Sequence, residues 1–338
     1  MKKIHLWLLV VMSIFVTTLT VNATVHEEIA IGDLKYDLDD EDHTATVTGP
    51  ANAVAPETVS IPSNVSYEGQ TYAVTFIDSY AFSQCESLKS VTIPNSVKSI
   101  QAYCFDACYY LTSVSLPEGL ESIGVGAFQY CMNLTSITIP NGVKSIQAYC
   151  FNYCYSLTSV SLPEGLESIG GAAFQYCESL TSITIPNGVK SIPHSCFYNC
   201  TNLSSVSLPE GLNEVDYQAF AYCDNLNRVT VYNPVPPLIE YNTFHSDNDS
   251  IIKSLYVPKG SVEAYESSDW KKYFANILEI DSSEVEEIGD CPTGINYSEP
   301  YEVFTLAGAR VHADFDSLSP GIYIIRQGNL TEKLSVSN

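Results

Sequence analysis

Cysteines are the residues of this 338-residue sequence whose types and spacing most suggest a chemical role. In an exported protein, regularly spaced thiols could form disulfides or lie buried as small apolar side chains. Stacked copies of one unit would give every such cysteine the same side-chain direction, which favours packing over pairing. We therefore predict a structural column of mostly reduced, buried cysteines. Its members recur every 23 residues: Cys85, Cys108, Cys131, Cys154, Cys177, Cys200 and Cys223.

Catalytic and metal-binding patterns are poorly supported. The 6 histidines are scattered and no Cys-x-x-Cys pair occurs, so we predict no metal site and no cofactor. Paired carboxylates at Glu118 and Glu121 recur at Glu164 and Glu167, whereas a catalytic pair is usually unique. The sequence also lacks a Gly-x-Ser-x-Gly elbow, a phosphate-binding glycine loop and a His-Glu-x-x-His motif. We predict that the protein is not an enzyme.

Composition and charge narrow the classes of partner. The chain is 45% hydrophobic and 16% charged, which indicates a folded protein. Acidic residues number 39 against 15 basic ones, for a formal net charge of -24. A phosphate backbone or an anionic membrane surface requires a concentrated basic face. We therefore exclude nucleic acid as the main partner.

The first 23 residues have the pattern of a secretory signal peptide. Lys2 and Lys3 precede an apolar stretch over residues 4–16, and the small residues of Val21–Ala23 would suit cleavage. The apolar stretch is short for a bilayer span, and no later segment approaches the required length. We expect a mature chain without a transmembrane segment, secreted or on the outer surface of a bacterial cell.

A repeat of 23 residues positions these side chains. From each repeated Phe, a Leu follows six residues later and a Val or Ile nine later, with hydroxyl residues around it. The alternation is typical of a short strand, and the Pro that follows ends it. One coil cannot bury its apolar side alone, so the coils must stack as a solenoid. The repeated residues are Phe82, Phe105, Phe128, Phe151, Phe174, Phe197 and Phe220.

The pattern L-x-x-[VI]-x-[ILV] resembles a leucine-rich repeat. More narrowly, A-F-x-x-C-x-x-L-x-S-[VI]-x-[IL]-P resembles the BspA-like leucine-rich repeat family of secreted bacterial proteins over residues 59–232. The resemblance implies an α/β repeat solenoid of right-handed coils and a role in adhesion. Gly119, Gly142 and Gly165 stand where the general pattern places Asn. A ladder of hydrogen-bonded Asn side chains is therefore not expected inside the coils. We expect the side chains of the cysteine column to fill the equivalent interior space.

The segments that flank the repeats predict further units. Residues 24–58 alternate apolar and polar positions, which predicts an N-terminal β cap. Residues 233–282 predict a C-terminal cap of a strand plus a helix, and residues 283–293 an acidic linker. Residues 294–338 predict a small antiparallel β-module, which resembles the sorting domains of type IX secretion in Bacteroidetes-like bacteria. A further β cap without a sorting role is the alternative.

Two sets of side chains are candidates for binding. Hydroxyl residues beside the inward residue of each strand should form a flat, uncharged sheet face. Tyrosines shortly after the repeated Phe occupy variable positions, and exposed tyrosine is favoured at protein and glycan interfaces. The candidates are Tyr109, Tyr130, Tyr153, Tyr155, Tyr176, Ser113, Ser136, Thr138, Ser159, Ser182 and Thr184.

These features favour a secreted or cell-surface protein that presents an extended recognition surface, resembling an adhesin. The expected partner is an extracellular protein or a glycan. Two other functions fit the same pattern: a structural component of the envelope that self-associates, and an accessory carbohydrate-binding protein. Fold alone does not separate these functions.

Overall fold

The computed structural model describes residues 25–246 and 252–280, together with the backbone of four strands within residues 302–336. The predicted signal peptide and linker lie outside the described residues. The chain forms a β-solenoid of about nine turns of roughly 23 residues, which confirms the predicted repeat fold. Helix is scarce in the described part of the chain, so the α component of the expected α/β solenoid is small.

Three strands precede the first coil: β1 (Val25–Ile31), β2 (Leu34–Asp39) and β3 (Thr44–Pro50). They pair in antiparallel fashion in this order, and β3 continues in parallel into the solenoid. Alternate residues of β2 and β3 are buried, as expected of strands with one face on a core. This small sheet covers the N-terminal end of one face of the solenoid.

The first coil departs from the later ones. It contains β4 (Thr58–Ser60), β5 (Asn64–Tyr67) and β6 (Gln70–Ile77). The residues that lengthen this coil form a hairpin of β5 and β6, turned by Glu68 and Gly69 with φ of 47° and 82°. Positive φ at both turn residues matches the right-handed twist of the two strands.

Each later coil contributes one strand to each of two parallel rows. All but the last strand of the first row begin with a hydroxyl–apolar–hydroxyl sequence, and the second row holds shorter strands. In chain order they are β7 (Ser90–Thr92), β8 (Ser99–Ile100), β9 (Ser113–Ser115), β10 (Ser122–Ile123), β11 (Ser136–Thr138), β12 (Ser145–Ile146), β13 (Ser159–Ser161), β14 (Ser168–Ile169), β15 (Ser182–Thr184), β16 (Ser191–Ile192), β17 (Ser205–Leu208), β18 (Glu214–Val215), β19 (Arg228–Val231) and β20 (Leu238–Ile239).

Pairing within the rows is in register. Ser136 lies beside Ser159 and Ile137 beside Val160, and the same positions pair between other coils. The first row comprises the ladders β4-β7-β9, β11-β13 and one that begins β15-β17-β19. In the second row, β3-β6-β8-β10-β12-β14 are continuous and β16-β18-β20 follow. Identical positions therefore stack into columns along the solenoid.

Phenylalanines form the central column of the core. All seven repeated rings are buried and stack nearly parallel, with centroids 5.2 to 5.6 Å apart. Phe244 extends the column, 5.4 Å from Phe220, although it follows after 24 residues. Offset-stacked rings add specific attraction to the burial of apolar area.

Turns occupy the side of each coil that carries the Phe. The residues two before and two after each Phe have positive φ, as at Tyr149 (59°) and Tyr153 (61°) around Phe151. L-residues with left-handed backbone angles cannot continue an α-helix. The scarcity of helix follows from these paired left-handed residues.

Glycine at one position of the repeat allows the neighbouring coil to pack closely against the backbone. A Cβ on Gly142 would lie 2.4 Å from the carbonyl oxygen of Leu120, whereas a Cβ on Gly165 would meet chiefly the Lys144 ammonium, at 2.7 Å. A backbone carbonyl cannot move aside as the end of a lysine side chain can. We expect Gly142→Ala to destabilise the fold by about 1–3 kcal/mol.

The matched control is Gly165→Ala, at the same position of the next coil. We expect its urea midpoint to stay close to that of the wild type, since Lys144 can turn toward solvent. Chemical denaturation of the two variants checks the pair, and equal midpoints would refute this close approach.

The last coil is closed by β21 (Ile252–Val257), α1 (Val262–Glu266), a 3-10 helix (Asp269–Tyr273) and β22 (Phe274–Glu279). Both strands extend the first row in parallel. The indole of Trp270 is fully buried at the end of the phenylalanine column and donates to the carbonyl of Pro237 at 2.8 Å.

Residues beyond 301 include a four-stranded antiparallel sheet in the order β24-β23-β25-β26. Its strands are β23 (Glu302–Thr305), β24 (Arg310–Val311), β25 (Gly321–Gln327) and β26 (Leu330–Val336).

Candidate functional site

The cysteine column is a structural ladder. Each thiol from the second repeat onward donates to the carbonyl of the Phe 26 residues earlier, as Cys154 does to Phe128 at 3.2 Å. The six bonds measure 3.0 to 3.2 Å. Each of these carbonyls also accepts from the backbone N–H three residues later, as that of Phe128 does from Cys131 at 3.2 Å, so the thiol is a second donor that links one coil to the preceding one. Cys85 begins the column and is half-buried.

These thiols are poorly suited to chemistry. All ten described cysteines are free. Burial raises the pKa of Cys131, Cys154 and Cys177 above its ordinary value, and raises the pKa of the half-buried Cys85 to about 11. Protonated thiols are weak nucleophiles and weak metal ligands. Among residues 25–246 and 252–280, no cluster of His, Cys, Asp or Glu could hold a metal ion.

Three of the candidate tyrosines form a continuous stack. The rings of Tyr130 and Tyr153 lie 4.6 Å apart, and those of Tyr153 and Tyr176 lie 4.5 Å apart, with interplanar angles of 11° and 8°. All three residues have left-handed backbone angles, which aim the side chains along one line. We call Tyr130, Tyr153 and Tyr176 the tyrosine stack. Each is half-buried, so part of every ring contacts solvent.

The other two candidates lie beside this stack. The ring of Tyr155 meets that of Tyr153 edge-on at 5.8 Å. Tyr109 is half-buried, and its carbonyl accepts from the amide of Asn133 at 2.7 Å. Partial burial is the largest cause that raises the pKa of Tyr130, Tyr153 and Tyr155. Their hydroxyls therefore remain neutral hydrogen-bond donors at physiological pH.

The candidate hydroxyl residues lie on the outer face of the first row. Ser113, Ser136, Thr138, Ser159, Ser182 and Thr184 are all exposed, while the apolar residue between each pair points inward. In-register pairing places these hydroxyls side by side. These exposed hydroxyl side chains form one outer surface of the first row, and we call it the hydroxyl face.

Two depressions run along the hydroxyl face. One, of about 220 Å³, is lined by Ser159, Ser182 and Thr184. The next, of about 500 Å³, is lined by Thr184, Asn187 and Tyr232 among others. None of their lining residues belongs to the tyrosine stack. The structure therefore gathers the tyrosines into one cluster and the hydroxyls into another, without joining them in one cavity.

Several exposed tyrosines were not among the binding candidates predicted from the sequence. Tyr80 is 60% exposed and stacks on Tyr103 at 5.2 Å, while Tyr149 is 40% exposed. These three recur two residues before a repeated Phe, a spacing that could have revealed them. Tyr232, which is 48% exposed at the second depression, carries no such signal.

No helix among the described residues combines the length and the apolar character needed to cross a bilayer.

This chain is similar to several solved structures of bacterial leucine-rich repeat proteins. A leucine-rich repeat protein of T. pallidum is 31% identical over 59% of this chain and 91% of its own, with a TM-score of 0.53. A leucine-rich repeat protein from Bacteroides ovatus is 24% identical, over 75% of this chain and 76% of its own, with a TM-score of 0.49. A leucine-rich cell surface protein from Faecalibacterium prausnitzii is 21% identical, over 77% and 96%, with a TM-score of 0.37.

A search of curated proteins found no match to this chain. The family model of the BspA-type leucine-rich repeat region, in contrast, matches 6 copies over residues 57–144, 75–200 and 121–251. Together these ranges span more than half of the 338 residues. With the stacked coils described above, this match shows that the chain belongs to the BspA-type leucine-rich repeat family.

Proposed function

We propose that this protein is secreted or displayed on the outer surface of a bacterial cell, where it binds an extracellular protein or glycan in the manner of an adhesin. Members of a bacterial leucine-rich repeat family with a solenoid fold are typically scaffolds for protein interaction. The secretory signal pattern of the first 23 residues supports the location.

The tyrosine stack is the observation that carries this proposal. Aromatic rings held face to face have already lost much of their rotational freedom, so binding costs them little further entropy. Each hydroxyl is a neutral donor at the edge of an apolar ring, which suits both peptide and sugar contacts. The hydroxyl face offers a second, uncharged surface for the same ligand or for another one.

Alanine substitution of the tyrosine stack tests the proposal. We expect the combined variant Tyr130→Ala, Tyr153→Ala and Tyr176→Ala to lose ligand binding by at least a hundredfold, the scale of a lost hot spot. Surface plasmon resonance against ligands captured from an array of matrix proteins, mucins and glycans measures the effect.

The fold should survive these changes. Ala107 occupies the same repeat position with a φ of 55°, so alanine is already accepted there. The matched control replaces Tyr80 and Tyr149, exposed tyrosines of the other left-handed column, and should retain affinity. If both variants bound the ligand with equal affinity, the tyrosine stack would not be part of the binding site.

A separate feature of the hydroxyl face favours a glycan as the ligand. The larger depression on the hydroxyl face combines the exposed ring of Tyr232 with the Asn187 amide and the carboxylates of Glu164 and Glu210. Aromatic rings with hydrogen-bonding groups around them suit sugar rings that have one apolar face. The role of an accessory carbohydrate-binding protein therefore remains the second candidate.

We propose that residues 294–338 act as a sorting domain for type IX secretion, with a plain β cap as the alternative. The antiparallel pairing of β23 to β26 supports a compact β-module. An acidic, repetitive rod also suits an envelope component that self-associates, and the ligand array separates that role from ligand capture.

A further inference from the structure

The two rows of the solenoid end differently on the N-terminal side. In the second row, β6 pairs with β3, and β2 and β1 continue the sheet. In the first row, β4 pairs with β7 on one side, and no strand of the described residues pairs with its other side. The first row therefore ends in an open edge, which natural proteins usually cover or interrupt.

Backbone groups of β4 are available along this edge. Glu57 accepts from Ser90 at 3.2 Å and Ile61 donates to Thr92 at 3.1 Å, so these odd-numbered residues face β7. Because hydrogen-bonding groups alternate along a strand, residues 58 and 60 direct their N–H and C=O groups away from β7. Within the described chain, these groups have no backbone partner.

A groove of about 460 Å³ runs along the open edge. The groove is lined by β4, by the β1–β2 turn at residues 32–34 and by residues 64–66 of β5. β5 itself pairs only with β6 among the described strands. Among the described residues that line the groove only Asp33 is charged, so this wall weakly repels acidic segments.

We propose that this groove binds an extended peptide segment of a partner protein, which pairs with β4 as an additional strand of the first row. Peptides commonly bind in this way, with main-chain hydrogen bonds giving affinity and alternate side chains giving specificity. The site goes beyond the proposed function, since it uses neither the tyrosine stack nor the hydroxyl face.

The ladder itself indicates which sequences fit. Every strand from β7 to β15 in the first row reads Ser, then Val or Ile, then Ser or Thr, and lies beside neighbours of the same pattern. The next strand beyond β4 would place its apolar residue beside Val59, which is buried, and its hydroxyl residues beside the exposed Thr58 and Ser60. The partner segment is therefore uncharged, with alternating hydroxyl and β-branched residues.

A peptide of this pattern tests the site. The probe is a fluorescein-labelled Leu-Thr-Ser-Ile-Thr-Ile-Pro, the sequence of residues 134–140, titrated with the full chain and followed by fluorescence anisotropy. We expect saturable binding. The same peptide N-methylated at its two Ile residues cannot donate from the positions that face β4 in the parallel register of the row, and should bind at least tenfold more weakly.

Substitution at residue 60 locates the site on the protein. Ser60→Pro removes the outward N–H without removing a ladder hydrogen bond, as proline is tolerated on edge strands. It should weaken peptide binding at least tenfold, whereas Ser60→Ala, which keeps the N–H, should bind as the wild type does.

Three results would overturn the proposal: no saturable binding of the peptide, equal affinity for the N-methylated peptide, or full affinity in folded Ser60→Pro. A concentration-dependent mass by light scattering that disappears in Ser60→Pro would also overturn it, because a second copy of the chain would then be the occupant.

Discussion

Replacing Phe151 by alanine should cost about 3–5 kcal/mol of stability, the range measured for Phe→Ala in packed cores. The ring is fully buried and stacked between Phe128 at 5.6 Å and Phe174 at 5.4 Å. Its removal leaves a cavity in the middle of the column, and the neighbouring coils cannot collapse into it without losing their register. Urea denaturation followed by far-ultraviolet circular dichroism measures the loss.

The control for this variant is Tyr110→Ala. Tyr110 is 58% exposed, so its replacement should change the free energy of unfolding by no more than about 0.5 kcal/mol. If the two variants unfolded at similar urea concentrations, the phenylalanine column would not be the core of the solenoid.

Alkaline pH should unfold this protein much more readily than its apolar core would suggest. Burial raises the folded-state pKa of eight cysteines above its ordinary value of 9.0: Cys104, Cys108, Cys131, Cys150, Cys154, Cys177, Cys196 and Cys200. In the unfolded chain these thiols ionise near their ordinary pKa. Below pH 9 both states keep the protons and the stability is fully present. Above it, the unfolded state loses protons first.

Each buried thiol then removes about 1.4 kcal/mol of stability per pH unit, until the pH reaches its folded-state pKa. Together the eight thiols would remove about 11 kcal/mol per pH unit, which is comparable to the whole stability of a typical domain. We expect the urea midpoint, measured under reducing conditions, to be nearly constant from pH 7 to 8.5 and to fall steeply between pH 9 and 10.5.

The control for the alkaline transition is a double variant, Cys131→Ser and Cys154→Ser. Serine retains a donor for the carbonyls of Phe105 and Phe128 but does not titrate in this range. Whatever the stability of the double variant at pH 8, its free energy of unfolding should fall less steeply above pH 9 than that of the wild type. The difference in slope should be about 3 kcal/mol per pH unit. Equal slopes would contradict ionisation of the buried thiols as the cause.

The stacked columns could be predicted from the sequence because a strict period leaves little freedom. Once the unit is 23 residues long, Phe151 must lie above Phe128, and Cys154 must face the same way as Cys131. The place of the cysteines, against the carbonyls of the preceding coil, follows from the absence of the usual Asn. Phe244 was missed because it follows after 24 residues.

Features set by contacts between coils could not be predicted. The hairpin of β5 and β6 arises from residues outside the 23-residue period, so the repeat pattern does not describe it. The left-handed angles at Tyr130 and Tyr153 are a property of the turns and have no signature in residue type, since Ala107 shares them. The separation of the tyrosine stack from the hydroxyl face likewise depends on the path of the chain between them.

Binding of the full chain to an array of matrix proteins, mucins and glycans at physiological salt tests the central claim most directly. A recognition surface predicts at least one saturable interaction that is lost in the combined variant of Tyr130, Tyr153 and Tyr176. An empty array with a folded sample, together with a mass that rises with concentration in light scattering, would contradict it and point to an assembly of the cell envelope.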